Sequence, residues 1–399
     1  MAQKLKFGGG TWATKKGSTL AYNDENNNYK PLPFTTTRDS IATRVNKEGL
    51  IEVVGNDVPK IDYTDTSDGV LLLEKAATNL ITNSEKFVDA PTGATNMDLF
   101  SGTITSNSTT SPDGNVTAMK FTIGGTSSSL LRIYQSDLST SSDNTFSIYA
   151  KKGTANSLSI DITDVTVVNS ILTDEWQRIS VTNISTSSKF IDVEVLGNVG
   201  EYIYIWGLQA EINSVASSYI PTQGSASTRL ADTASGSGNS EVFNDSQGVV
   251  FFDVSAFSET NSFEAISIND NSTSDRIFMG YYSDDLYITV VNGGQAKYDV
   301  NTPINVKQNN KIAVKYKAQD FSFYLNGFEI DASVGINGGT TPSGLSKLSF
   351  NRGDGVEPFY GKTKELGYYN TVLTDAELEY LTSYRSLSEL VTELNLNTL

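Results

Sequence analysis

From about residue 100 the chain is written in short alternating runs, each long enough for one strand and each closed by Gly, Asn, Asp or Ser: TAMKFTI, NTFSIYAK, NSLSIDI, EWQRISVT, KFIDVEV and EYIYIWGLQ. This rhythm constrains the fold more than any other feature. A side-chain period of two buries one face of an extended strand, whereas a helix repeats every 3.6 residues. In NTFSIYAK, Phe146, Ile148 and Ala150 alternate with Ser147 and Tyr149, the pattern of a half-buried antiparallel strand. Several such strands at short spacing predict a β-sandwich or barrel, placed at residues 82–223. Trp176 begins one of the runs and is expected inside with Ile179 and Val181.

Residues 224–240, GSASTRLADTASGSGNS, are small and polar without apolar periodicity, as expected of an exposed connection between domains. Strands resume with GVVFFDVSAF, FEAISI, DRIFMGYY, LYITVV, KIAVKYK, FSFYLNGFEI and KLSFNR, which predict a second β-sandwich over residues 241–384. Thr374 followed by Glu377 has the form of a capping box and predicts a short helix near the C-terminus. In the tail, residues 385–399, Leu387, Leu390, Val391 and Leu394 share one helical face. That stripe covers either the chain's own sandwich or another subunit. Residues 1–81 match neither sandwich in rhythm and read as an extended leader with short strands for attachment or oligomerisation, braced on the domain after it or on neighbouring copies. The expected fold is therefore all-β: a leader, two jelly-roll-like sandwiches and a short C-terminal helix. Ala42-Thr43-Arg44-Val45 and Ser227-Thr228-Arg229-Leu230 echo each other but are too short to establish a duplication.

A chain of 399 residues is long enough for two or three domains, each with its own core. It contains no Cys and no His, which removes disulfides, Cys/His zinc sites, thiol nucleophiles and the commonest general base. A net charge of −17 opposes phosphate backbones and anionic membranes, so nucleic acid is not an expected partner. No run approaches membrane-spanning length and the basic N-terminus lacks the apolar stretch of an export signal, so membrane insertion is not expected. Phosphate-cradling, nucleophile-elbow and dinucleotide motifs do not occur.

Three groups of residues could carry chemistry. Tyr202, Tyr204 and Trp206 fall on one face of EYIYIWGLQ, where they could stack on sugar rings or serve as core. Asn269, Asp270, Asn271 and Asp275, and the pair Asp284 and Asp285, offer oxygens to calcium but are also ordinary turn formers. Paired carboxylates could hydrolyse a glycosidic bond, yet the one Glu-x-Asp, Glu329-Ile330-Asp331, is followed by Ala332, Ser333 and Val334, without a third carboxylate. No catalytic residue is assigned, and no cofactor other than calcium is considered.

The leader, with ATRVN and Gly49 to Glu52, then VPKIDY, LLLE, and TNL followed by Ser-Glu-x-Phe, resembles the N-terminal module of bacteriophage virion proteins of the head-fibre, tail-fibre and spike types. IYIWGLQAE and SYIPT resemble the close of the carbohydrate-binding-module-like sandwich that follows in such proteins. Residues 241–384, with KIAVKYK, FSFYLNG and the closing FYGKTKELGYYNTVLTDAELEYL, resemble a laminin-G or concanavalin-A-like jelly roll. The resemblance implies a structural protein on the virion surface, made in the host bacterial cytoplasm. It also implies a homo-oligomer with a trimer favoured, contact with other virion proteins of capsid or tail, and adhesion to host-surface glycans. The competing readings are a virion polysaccharide depolymerase and a cellular lectin-like adhesin. A compact leader without a long fibre repeat leans the expectation towards a head fibre or spike.

Overall fold

A computed structural model describes residues 3–22, 29–85, 97–163, 166–258 and 260–393. Among the described residues the chain is nearly all β with two short C-terminal helices, and it divides into two compact units. One comprises Ser40–Val54 and Ala76–Leu230; the other comprises Met1–Asp39, Gly55–Lys75 and Ala231–Leu399.

The first of these is a sandwich of two five-stranded sheets. One sheet runs Met97–Phe100, Ser128–Tyr134, Phe190–Leu196, Ser157–Ile162, Thr166–Ile171; the other runs Gly102–Thr109, Ala118–Ile123, Tyr202–Glu211, Asp143–Lys152, Gln177–Ile184. Alternation turns Phe146, Ile148, Ala150, Ile203 and Ile205 inward to meet Leu158, Ile160, Ile191, Val193 and Val195. Each of these side chains apart from Ala150, fully removed from water, contributes about 1.5–3 kcal/mol. Trp176 departs from its expectation. Its parity is opposite to that of Ile179 and Val181, so it turns to the outer face, where Nε1 donates to the Thr110 carbonyl at 3.1 Å.

The second unit is built around an eight-stranded sheet facing a five-stranded one. The large sheet runs Phe328–Ser333, Phe321–Leu325, Asn310–Lys317, Gln247–Ala256, Gly361–Tyr369, Val70–Leu73, Lys60–Asp62, with Leu5–Gly8 also paired to Gly361–Tyr369. The facing sheet runs Gln295–Pro303, Asp285–Asn292, Arg276–Ser283, Thr260–Asn269, Lys347–Ser349. GVVFFDV is apolar without alternation because its strand is covered on both faces. Val250, Phe252 and Val254 enter the core between the sheets, while Val249 and Phe251 lie under Leu378 and Leu381 of the helix Asp375–Thr382. That helix starts at the expected capping box, with Thr374 and Glu377 each satisfying the other's backbone N–H. The turn after Phe321–Leu325 has φ of 50° at Asn326 and 89° at Gly327, the left-handed pair that a two-residue hairpin needs. The tail forms a helix at Leu387–Glu393, with Leu387 71% exposed and Leu390 and Val391 half-buried; Leu394 lies outside the described residues.

The leader does not stand apart as one segment. Its hairpin Ala42–Val45 with Ile51–Val54 belongs to the first sandwich, whereas Lys60–Asp62 and Val70–Leu73 extend the large sheet of the second unit. Ala77–Asn79 returns to the first sandwich, pairing with Ser227–Arg229. Residues 224–240 also differ from the plain connection expected. Ser227–Arg229 and Thr233–Ser235 are both strands, the latter paired with the leader strand Leu32–Thr37. Small polar residues carry no apolar period, yet their backbones supply the same ladder of donors and acceptors.

The motif residues of the leader have physical tasks in these packings. Asn79 is wholly buried; its Nδ2 donates to the carbonyls of Leu208 (3.0 Å) and Ile220 (2.9 Å), and its Oδ1 accepts from the N–H of Ile81 and Ala210, each at 3.1 Å. Ser84 meets the Tyr219 hydroxyl at 2.6 Å; Lys86 and Phe87, which complete that motif, lie outside the described residues. In the other unit, Lys60 and Glu74 of VPKIDY and LLLE form a buried ion pair.

Candidate functional site

The strand Tyr202–Glu211 is the third of five in its sheet; Tyr202, Tyr204 and Trp206 face outward from its first half, and a bulge at Gly207, with φ of 63°, then reverses the parity so that Leu208 and Ala210 enter the core. Tyr202 and Tyr204 are half-buried there, their ring centroids 5.4 Å apart and nearly perpendicular. Lys120 and Lys151 lie directly across from Tyr204 on either neighbouring strand, and Lys120 Nζ stands 5.3 Å from the Tyr202 ring centroid. The Tyr204 hydroxyl is held above its ordinary pKa, first by its hydrogen bond with Tyr202 and then by desolvation.

Trp206 must be removed from the candidate sugar-stacking row. It is 1% exposed, packed at 4.6 Å against Tyr219 and 5.6 Å against Tyr149, within a small cluster that includes Ile51 of the leader hairpin. Its Nε1 donates to Thr117 Oγ1 at 3.1 Å. Alternation put Trp206 on the outer face correctly, but that end of the face is roofed over.

A second aromatic group lies on the outer face of the sheet Gln295–Pro303 to Lys347–Ser349. Phe278, Gly280 and Tyr282 alternate outward along one strand while Ile277, Met279 and Tyr281 fill the core. Tyr287 is opposite Gly280, and Phe263 reaches in from the adjoining strand. Phe263 stacks on Tyr282 with centroids 5.0 Å apart and meets Tyr287 edge-on at 5.1 Å. Gly280 carries no side chain beneath these rings; a Cβ there would stand 3.4 Å from both Phe263 and Phe278. Tyr282 is 38% exposed, and Asp285, Asn301 and Asp299 continue the same rows as polar groups. The result is an apolar platform edged by hydrogen-bonding side chains, a composition suited to a sugar's apolar ring face and equatorial hydroxyls. EYIYIWGLQ is conspicuous in the sequence because its three aromatics alternate along a single strand. Phe263, Tyr282 and Tyr287 come from three strands; the available signal was the outward parity of Phe278, Gly280 and Tyr282 in DRIFMGYY.

The oxygen-rich loops are occupied with their own chain. Asp275 accepts from Asn292 Nδ2 at 3.0 Å, from the Gly293 N–H at 3.3 Å, and from the N–H and hydroxyl of Ser343 at 2.8 and 3.1 Å. Asp270 accepts from the N–H and hydroxyl of Ser272. Asp284 is exposed at a strand turn and Asp285 pairs across from Tyr282, so the four aspartates are not brought together. Among the described residues no cluster of three or more His, Cys, Asp or Glu is placed to hold a metal ion.

Glu329 and Asp331 stand on the edge strand Phe328–Ser333. Glu329 accepts from the Tyr324 hydroxyl at 3.0 Å. Asp331 lies beside Tyr298, whose hydroxyl is pushed well above its ordinary pKa, chiefly by burial and then by this carboxylate.

Residues 250–379, within the second unit, match the laminin-G-type model of the concanavalin A-like lectin/glucanases superfamily. No curated protein matches the chain. Among solved structures, the CBM40 of the Ruminococcus gnavus IT-sialidase, bound to α2,6-sialyllactose, is 18% identical over 37% of this chain and 93% of that one, with a TM-score of 0.32. Domains LG4-5 of the mouse laminin α1 chain are 9% identical over 66% and 92%, with a TM-score of 0.27. The N-terminal CBM22 tandem domain of Paenibacillus barcinonensis Xyn10C is 8% identical over 74% and 98%, with a TM-score of 0.26.

Proposed function

We propose that this chain is a non-enzymatic surface protein of a bacteriophage virion, a head fibre, spike or short tail fibre, that holds host-surface glycans. The observation that carries the glycan reading is the Phe263–Tyr282–Tyr287 platform, which lies inside the lectin-matched region and keeps Tyr282 open to solvent. The virion reading rests on the leader's motifs, whose residues Lys60, Glu74, Asn79 and Ser84 are built into both units. A homotrimer displaying several weak sites would bind through multivalency, so each platform needs only modest affinity.

Two measurements test this. Mass spectrometry and immunogold microscopy of purified virions place the chain: label on the capsid makes it a head fibre, label at the tail tip a receptor-binding fibre, and absence from virions defeats the virion reading. Retention of the purified chain on host-surface polysaccharide, with a doubly substituted Tyr282→Ala/Tyr287→Ala variant washing through, supports the platform. Equal retention of both proteins defeats it.

A further inference from the structure

We infer that the outer face of the first sandwich holds a second sugar site, specific for a negatively charged sugar residue, where Lys120 and Lys151 flank Tyr204. This inference rests on the glycan-binding reading and adds a position and a ligand class to it. Four adjacent strands bring the residues together. Thr105, Lys120, Tyr204 and Lys151 lie side by side in one row across the sheet, and Thr103, Thr122 and Tyr202 in the next. Neighbouring strands are about 4.8 Å apart, so the two lysine backbones stand about 10 Å apart with the tyrosine between them. A sugar ring seated on Tyr204 has an ammonium within reach on either side.

The charge of this patch is the reverse of the chain's. Asp and Glu outnumber Lys and Arg by 46 to 29, yet neither row contains a carboxylate. Among the described residues neither Lys120 nor Lys151 forms an ion pair; the exposed Asp174 pairs with Lys152 instead, at 3.7 Å. Lys120 holds its amine 5.3 Å from the Tyr202 ring centroid, above the aromatic face, so this cation is already directed into the patch. At physiological salt the Debye length is about 8 Å, and carboxylates elsewhere on the chain are screened from a ligand seated here.

The tyrosines supply the apolar half of the site. Tyr202 and Tyr204 meet nearly at right angles, and Tyr202 rests on Gly153, where a Cβ would come within 2.5 Å of its ring. The rings are thus held in place before a ligand arrives. Thr103, Thr105 and Thr122 edge them with hydroxyls, so each part of an acidic sugar has a partner: its apolar face the tyrosines, its hydroxyls the threonines, its anionic group the lysines. Lysine acts as a mobile point charge and demands no bidentate geometry of that group. Thr103 and Thr105 are exposed and the other residues half-buried, which makes this an open face with room for a chain of sugars to run across it. A neutral glycan gains only the stacking and the hydroxyl contacts.

The test is calorimetric titration of the full chain carrying Tyr282→Ala/Tyr287→Ala, which silences the platform of the second unit. Trigalacturonate is expected to bind at least tenfold more tightly than neutral maltotriose and than citrate, which has carboxylates but no sugar ring. Adding Lys120→Ala/Lys151→Ala should weaken trigalacturonate about tenfold or more, and Lys120→Arg/Lys151→Arg should keep it, as a charge-assisted contact requires. Tyr204→Ala should weaken it severalfold. If the double alanine variant melts early, Lys151→Gln alone should still weaken binding severalfold. Trigalacturonate binding that ignores the lysine substitutions overturns the site, as does equal binding of maltotriose or citrate. Absence of trigalacturonate binding, while the chain with its platform intact is still retained on host polysaccharide, overturns this site and leaves the adhesion reading standing. Loss of both defeats that reading as well.

Discussion

Asp232 and Lys60 meet at 2.9 Å, carboxylate Oδ2 to Nζ, with both side chains buried. Asp232 is the hub of a wider set: its Oδ1 accepts from Arg38 Nη1 at 2.9 Å, its Oδ2 also accepts from the Glu74 N–H at 2.9 Å, and Lys60 pairs with Glu74 as well. Three separate leader residues are thereby bound to the point where the chain enters the second unit for good. Removing one partner from a buried ionic set costs about 3–5 kcal/mol, because the others stay in low dielectric without compensation. Lys60→Ala and Asp232→Ala are each expected to lower the unfolding free energy by that amount, read from urea denaturation midpoints. A loss below about 1 kcal/mol would mean that water replaces the missing partner, as at an exposed pair.

Asn79 makes the matching prediction for the first sandwich. Its four hydrogen bonds join the strand Tyr202–Glu211, the Ile220 segment and the chain just beyond Asn79 itself. Asn79→Ala strands buried carbonyls and N–H groups, and each unsatisfied group costs about 1–3 kcal/mol. Asn79→Asp keeps the shape and the acceptor but cannot donate to the carbonyls of Leu208 and Ile220. Both variants should therefore melt well below the wild type, and an Asp variant of native stability would show that the donor half of the clamp is dispensable.

These two clusters explain what was legible in the sequence. Strand positions were readable because Phe146, Ile148 and Ala150, or Ile277, Met279 and Tyr281, declare their inner face by parity alone. The capping box was readable because it is local. Long-range assembly was not: nothing near Lys60 announces Asp232, and the small polar run 224–240 hides two strands whose partners lie in the leader. The same blindness governed the site. Contiguous aromatics at Tyr202, Tyr204 and Trp206 drew notice although one of them is roofed over, whereas the platform of Phe263, Tyr282 and Tyr287 exists only once three strands are in register.

The capping box at Thr374 anchors the helix whose Leu378 and Leu381 cover Val249 and Phe251. Thr374→Ala removes a side-chain acceptor from the N–H of Glu377 and is expected to cost about 1 kcal/mol. Thr374→Ser should retain most of that. Thermal melting of the three proteins distinguishes the outcomes, and an unchanged midpoint in the alanine variant would mean that packing alone fixes this helix.

Glu264 sets a dependence on pH. Its side chain is buried and pairs with Lys75 Nζ at 2.7 Å, while Lys75 itself is half exposed. Burial, the larger influence, raises the Glu264 carboxyl above its ordinary value, and the contacts with Lys75 offset that only in part. The folded chain therefore holds this proton more tightly than the unfolded chain does. Between the ordinary glutamate value of about 4.3 and the raised one, the native state binds more protons, so this contribution is fully present below the unfolded value and is lost as pH climbs through the folded value. Glu264→Gln is neutral at every pH and lacks that slope. Relative to the wild type the variant should gain stability as pH rises from about 4 towards 7, measured by urea midpoints at closely spaced pH values. A difference that stays constant across that range would mean that Lys75 keeps the carboxyl as acidic in the fold as in the unfolded chain.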